Sequence, residues 1–165
     1  MTSTAPAIDP IQFRNACGSF PTGVTIITTR DASGKPVGMT ANSFSSVSLD
    51  PPLVLWSIAK TATAFTAFDT CSHFAIHILH SGQEAVSRLF ATKNVDKFAE
   101  TEHATAAGDT PVLSDYNARF VCSIEHRYPG GDHIILVGRI VEFDNRDLEP
   151  LVFYKGQYKA LANKQ

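Results

Sequence analysis

The stretch from Gly38 to Leu53, GMTANSFSSVSLDPPL, concentrates short side chains with hydrogen-bonding atoms: Thr40, Asn42, Ser43, Ser46 and Ser48. Val47 to Leu49 alternates as a strand does, where strands favour Val, Ile and aromatic residues. Short polar groups lose little entropy when fixed, and once buried they require partners. The alternation slips at Ser45-Ser46, and a bulge there would free backbone N–H groups as well. Such an edge suits a flat heteroaromatic with several polar atoms along one side. An isoalloxazine ring, with N5, O4, N3 and O2 in a row, has that pattern. A Ser-rich strand facing solvent has the same composition, and the residues alone leave both readings open.

A second group is Lys60, Thr61 and Thr63, before the helical stretch ATAFTAF. If Thr61 caps that helix, its free N–H groups and the two hydroxyls offer a phosphate site. A third group, His73, His77 and His80, has the look of a metal set. On a strand only His73 and His77 share a face, and no carboxylate stands beside them. They read as satisfied or half-exposed histidines, with no metal.

The elements that must position these groups follow from periodicity. Asp9-Pro10 is an N-cap and first helical residue, and Phe13, Ala16, Cys17 and Phe20 fall on one helical face. VTIITTR and PVGMTANSF flank the turn DASGK and form a hairpin. LVLWSIA is apolar throughout and is expected to be buried on both faces. HFAIHILH is a strand, and Ser81 with Glu84 forms a capping box for the helix carrying Ala85, Val86, Leu89 and Phe90. Residues 93–118 are expected to be irregular, with one helical turn at VDKFAE. ARFVCSIEHRY and DHIILVGRIVEF are long strands joined at PGG, and PLVFYKG is a last strand. About seven strands in hairpin order with three short helices argue for an antiparallel sheet closed as a barrel.

The chain has 165 residues, 44% hydrophobic and 18% charged, with a net charge of −2, which describes one globular domain. Residues 1–9 read as a flexible N-terminus and 10–162 as the domain. Nothing supplies the basic face of a nucleic-acid binder, and no basic run or long apolar segment marks a membrane. Cys17, Cys71 and Cys122 lack metal spacing and read as buried free thiols in a reducing, cytoplasmic compartment; MTSTAPAIDP is no signal peptide. GxGxxG after a strand, GxxxxGK[ST] and GxSxG are all absent from the sequence, which argues against a Rossmann unit, a P-loop and a nucleophile elbow.

Six segments occur in order: FRNACGSFPTGVTIIT, GMTANSFSSVSLDPPLVL, FAIHIL, SRLFA, GDHIILVGRIVEF and PLVFYKGQY. Together they resemble the short-chain flavin reductases, the reductase components of two-component flavin monooxygenases, on the FMN-binding split-barrel fold. The likeness covers about residues 11–161.

The resemblance implies a mainly β fold with short helices, an antiparallel split β-barrel. It implies FMN or FAD along GMTANSF and SVS, contacting Thr40, Ala41, Asn42, Ser43, Ser46, Val47 and Ser48. Ser57, Ile58, Thr61 and Thr63 would hold the ribityl and phosphate. Phe90 and Lys93 would flank the phosphate or, for FAD, the adenosine part. His133 would lie against the nicotinamide of NADH (or NADPH), with Tyr154 to Gln157 near that nucleotide. His133 also reads as a cap of its own turn, Lys93 as a solvated charge, and Trp56 as core. The implied activity is hydride transfer from nicotinamide to flavin, with no acid–base residue and the two rings held about 3–3.5 Å apart. The implied partners are a second copy in a homodimer and a flavin-dependent monooxygenase. A flavin-binding carrier or sensor that does not turn over is the alternative.

Overall fold

The computed structural model describes residues 7–162; residues 1–6 of the expected flexible N-terminus lie outside them. In chain order the elements are α1 (Pro10–Cys17), β1 (Thr22–Gly23), β2 (Thr25–Arg30), β3 (Pro36–Ala41), β4 (Ser45–Leu49), β5 (Pro52–Ala59), α2 (Phe65–Thr70), β6 (His73–Ile78), α3 (Glu84–Ala91), β7 (His103–Ala106), β8 (Thr110–Leu113), β9 (Ala118–Gly130), β10 (His133–Asn145), β11 (Val152–Tyr154) and β12 (Gln157–Lys159). Seven strands form one sheet in the order β3-β2-β6-β9-β10-β5-β4, with every pairing antiparallel.

That order forces the sheet to curl. β3 and β4 are its two edges, yet only residues 42–44 separate them in sequence. Four Cα steps reach at most about 14 Å. Six strand spacings laid flat would put the edges about 29 Å apart. Six antiparallel steps also leave β3 and β4 running the same way. The path from Pro36 to Leu49 is therefore one long bent strand. Its first half pairs with β2 and its second half with β5, and this change of partner is the split in the barrel.

The inner face carries the core: Ile27, Val54, Trp56, Ile58, Phe68, Phe74, Ile76, Cys122 and Leu136. α2 plugs one end, with Phe68 edge-on to Trp56 at 4.8 Å between centroids. The Arg127 guanidinium donates to the C-terminal carbonyls of that helix, Phe68 O and Cys71 O. A second cluster on the outer face joins Ile26, Leu79, Phe90 and Leu113 beneath α3. α3 lies close on β3 because Gly38 has no side chain; a Cβ there would sit 2.7 Å from the Phe90 ring.

Several expectations change. β5 alternates, with only Val54, Trp56 and Ile58 buried, because its other face has no layer over it in the single chain. Thr61 caps nothing: α2 starts at Phe65, and Ala64 at its N-cap makes no side-chain bond. The capping box belongs to His80 and Gln83, whose short 3-10 turn precedes α3; His80 Nδ1 accepts from Gly82 N–H at 3.1 Å and Gln83 Oε1 from His80 N–H at 3.0 Å. VDKFAE forms no helix, and the region read as irregular holds the β7–β8 hairpin, which covers Ala75 and Val121. The β9–β10 turn is the pair Gly131-Asp132, since His133 pairs directly with Gly130. Cys122 is buried, but Cys71 is half-buried and Cys17 exposed.

α1 has its expected cap, Asp9 Oδ1 accepting from Ile11 N at 2.8 Å and Gln12 N at 3.1 Å. Its apolar face, however, looks outward, and none of its residues is buried.

Candidate functional site

The hydroxyl-rich segment lies along the split. In β3, Thr40 pairs with Ile26 and so shares the outer face, where its Oγ1 donates to Ser87 O at 2.6 Å. Ala41 ends the strand and its carbonyl accepts from Thr25 Oγ1 at 2.7 Å. Asn42 and Ser43 are exposed in the connection. Ser43 Oγ replaces a strand partner for β5: Ser57 N–H donates to it at 3.0 Å and it donates to Ser57 O at 3.2 Å.

The β4–β5 ladder runs only from Leu49↔Pro52 to Ser45↔Leu55. Beyond Leu55 the β5 edge facing β4 has no strand partner; along it Ser57 is bonded to Ser43 Oγ, and Ala59 O accepts from Ala62 N–H at 3.0 Å. Val47 is an extra residue between Ser46↔Val54 and Ser48↔Leu53. The slip expected at Ser45-Ser46 thus falls one residue later, as a bulge. Residues directly opposed across a ladder share a face. Ser46 therefore lies on the Val54 side of the sheet, where it is nonetheless exposed, and Ser48, half-buried, on the outer face with Leu53, Leu55 and Ser57. The two serines, expected to act together, are on opposite sides.

The outer face continues across β5 to β10, where Ser57 pairs with Ile135 and Ala59 with His133. His133 is held at the hairpin mouth by Asp132, whose Oδ1 lies 2.7 Å from Nδ1. The hydrogen bond from His133 and its charge hold the Asp132 carboxyl below the usual range. Lys60 fixes the turn through Nζ to Gly131 O at 2.8 Å and its backbone N–H to Asp132 O at 2.9 Å.

Two clefts flank this surface. The larger, about 930 Å³, lies between the end of α1 and the β11–β12 turn, lined by Arg14, Cys17, Phe20, Asn42, Lys155 and Gly156 among others. Tyr154 ends β11 against Gln157, one residue before the cleft's Lys155. The smaller, about 260 Å³, brings Thr63 together with Lys35, Asn94 and Lys97. Lys97 was not singled out in the sequence, and no spacing signalled it. Its Nζ donates to Gly38 O at 3.0 Å and Phe90 O at 2.7 Å, and burial lowers its pKa.

Two candidates are placed elsewhere. Phe90 is fully buried against Leu79, Leu113 and Phe98, so it is core and has no surface to offer a phosphate or adenosine. The Ile58 side chain is likewise inside the barrel, leaving only its backbone near the split. Thr61 is exposed in the turn after β5, and Lys93 is exposed after α3. His77 is a core residue: Leu113 N–H donates to Nε2 at 3.0 Å, so Nδ1 carries the proton and donates to Ile26 O at 3.0 Å. Burial pushes its pKa down to about 4. Among the described residues, no cluster of His, Cys, Asp or Glu is placed to hold a metal, and no helix is long and apolar enough to cross a membrane.

A strand end without a ladder, beside exposed Asn42 and Thr61 and half-buried Ser48, fits a planar ligand with polar atoms along one side. The flavin reductase like domain family matches residues 17–162. The chain belongs to that family. It is 44% identical over 146 residues to the FMN reductase (NADH) SmoA of Agrobacterium fabrum, covering 88% of this chain and 83% of that one. It is 44% identical over 147 residues to the reductase component of the flavin-dependent trigonelline monooxygenase of Acinetobacter baylyi, covering 89% of this chain and 47% of that one. The chain spans about half the length of some relatives it matches. Among solved structures, the NADH:FAD oxidoreductase SgcE6 of Streptomyces globisporus, in complex with NAD and FAD fragments, superposes with a TM-score of 0.87 at 36% identity, covering 96% of this chain and 98% of that one.

Proposed function

We propose that this protein is an NADH-dependent flavin reductase that reduces FMN or FAD and supplies it to a flavin-dependent monooxygenase. The observation that carries the reading is the end of β5 beyond the β4 ladder, where no strand covers Ser57 to Ala59 and only the Ser43 hydroxyl stands in at Ser57, on the same outer face as His133. Family membership and the NADH-linked relatives support it.

Bound flavin would supply the hydride acceptor and its ring electronics. The chain's own task is to bind and orient. Asn42, the β5 edge and Ser48 offer polar contacts along one side of a flat ring. Thr63 and Lys35 offer a hydroxyl and a charge to a phosphate, in a cleft where Asp31 and Asp96 balance Lys35 and Lys97 and the Lys97 ammonium is bonded to Gly38 O and Phe90 O. His133, steadied by Asp132, faces the same surface and fixes the angle of a second ring. Lys155 and Arg14 place positive charge in the larger cleft, which suits a dinucleotide. Alignment of two rings is proximity catalysis, and no proton needs to move on a side chain.

The active form is a homodimer. An eight-residue helix is unstable alone in water, yet α1 buries no residue, and Phe20 and Leu49 are 77% and 94% exposed. A second copy laid over these surfaces gives them a partner.

Steady-state oxidation of NADH and NADPH, each with FMN and with FAD, tests the function. Fast NADH turnover that depends on added flavin is expected. Flavin binding without turnover would replace the reductase by a carrier or sensor.

A further inference from the structure

We propose that Tyr158 and Ser87 are positioning residues that set the β3 edge of the flavin site through Thr40. The proposal rests on the flavin reading of that edge.

Thr40 Oγ1 donates to the carbonyl of Ser87, in the middle of α3, at 2.6 Å. Ser87 is fully buried, and its Oγ lies 2.8 Å from the Tyr158 hydroxyl on β12. Tyr158 is fixed in turn, with its ring 5.4 Å from that of Phe153 and the Arg88 guanidinium 4.8 Å from its centroid. A chain of three polar groups therefore runs from the C-terminal hairpin through α3 to β3.

Neither Thr40 nor Tyr158 lines the larger cleft, but near neighbours of both do. Asn42, two residues beyond Thr40, lines it from one side, and Lys155 and Gly156, at the turn of the β11–β12 hairpin, line it from the other. Ser87 needs its partner, because a buried hydroxyl without one is costly. Thr40 could have been any β-branched residue if packing were its task; its hydroxyl is spent on the helix, not on a ligand. The chain thus fixes the separation between the edge that meets the flavin and the hairpin proposed to meet the nicotinamide nucleotide.

The test compares Tyr158→Phe, Ser87→Ala, Thr40→Val, Thr40→Ser and the Tyr158→Phe/Thr40→Val double variant. Flavin Kd by fluorescence, NADH KM, kcat and Tm are read for each. Tyr158→Phe, Ser87→Ala and Thr40→Val should each weaken flavin about fivefold, with Tm shifted by only a few degrees. The double variant should be no weaker than the worse single, since both break one chain. Thr40→Ser, which keeps the donor, should match the wild type. Additive losses, or wild-type flavin affinity in Tyr158→Phe, would overturn the proposal while leaving the functional reading intact. A wild-type protein that binds no flavin would overturn both, and that result is separable from the variants' behaviour.

Discussion

Ser46 and Ser48 stand two positions apart and face opposite sides of the sheet, because Val47 is an extra residue in the β4–β5 ladder. In an unbroken strand they would share a face. The bulge leaves Ser48 on the face of Ser57 and His133 and puts Ser46, still exposed, on the Val54 side. Ser48→Val should therefore weaken flavin about tenfold, near 1.4 kcal/mol, and Ser46→Val by less than about twofold. Fluorescence titration of each single variant reads this directly. Equal losses would place the ligand against the backbone of the bulge instead.

His133 opens β10 at the hairpin mouth, and its ring is oriented by Asp132 at 2.7 Å. His133→Ala should lower kcat/KM for NADH about tenfold with flavin Kd unchanged. Asp132→Ala, which frees the ring without removing it, should give a smaller loss in the same parameter. A variant that loses flavin and keeps NADH kinetics at saturating flavin would reassign His133.

Lys97 takes the place of a strand partner for β3 at Gly38 and also closes the C-terminal end of α3 at Phe90. Lys97→Met keeps the stem and removes the donor, leaving two carbonyls unpaired. A loss of about 2 kcal/mol and a fall in Tm of roughly 4–8 °C are expected in thermal melts. An unchanged Tm would show that water replaces the ammonium without cost.

His77 gives the fold an acid limit. Its folded pKa lies near 4, below the ordinary 6.5, chiefly through burial. Above pH 6.5 both folded and unfolded states hold it neutral, and its contribution to stability is fully present. Between 6.5 and 4 the unfolded state binds the proton first, so stability falls by up to roughly 3 kcal/mol. His77→Gln retains a donor and an acceptor and does not titrate. The difference in unfolding free energy between the two proteins should change across that window and stay flat above it. A constant difference from pH 7 to pH 4 would remove His77 as the cause.

Light scattering over a wide dilution range should give twice the chain mass. Replacing Ile11 and Phe13 on α1 by Glu should shift the protein toward monomer and lower its turnover. A wild-type monomer with full activity would end the dimer proposal.

The sheet and the three helices were legible because their signals are local, namely alternation, helical periodicity and turn residues, although of the expected caps only Asp9 holds. The GMTANSF and SVS segments could be picked out by composition. What escaped depended on three dimensions. The β7–β8 hairpin has four-residue strands, and Pro111 interrupts one of them, so no period stands out. His80 takes the cap one residue earlier than Ser81, because its imidazole Nδ1 reaches Gly82 N–H. Phe90 looked like a site residue by its place in SRLFA, but Gly38 lets it sink onto β3. The face of Ser46 turned on a bulge one residue from where the pattern slipped. Lys97 and Tyr158 act through carbonyls and hydroxyls that no spacing encodes.

The bent strand from Pro36 to Leu49 also makes chain length a conserved quantity at the split. The exposed Asn42 side chain can be exchanged while both ladders stay in register, whereas Ser43 holds Ser57 and Phe44 stacks on Phe120. One residue inserted there would have to be absorbed by β4, since β3 is pinned at Gly38 and Thr40. A slip of one position in β4 would exchange its faces, sending Ser45 and Ser48 inward and Ser46 outward. Substitutions can thus retune what this edge recognises, whereas insertions and deletions would dismantle the recognition surface and the barrel closure together.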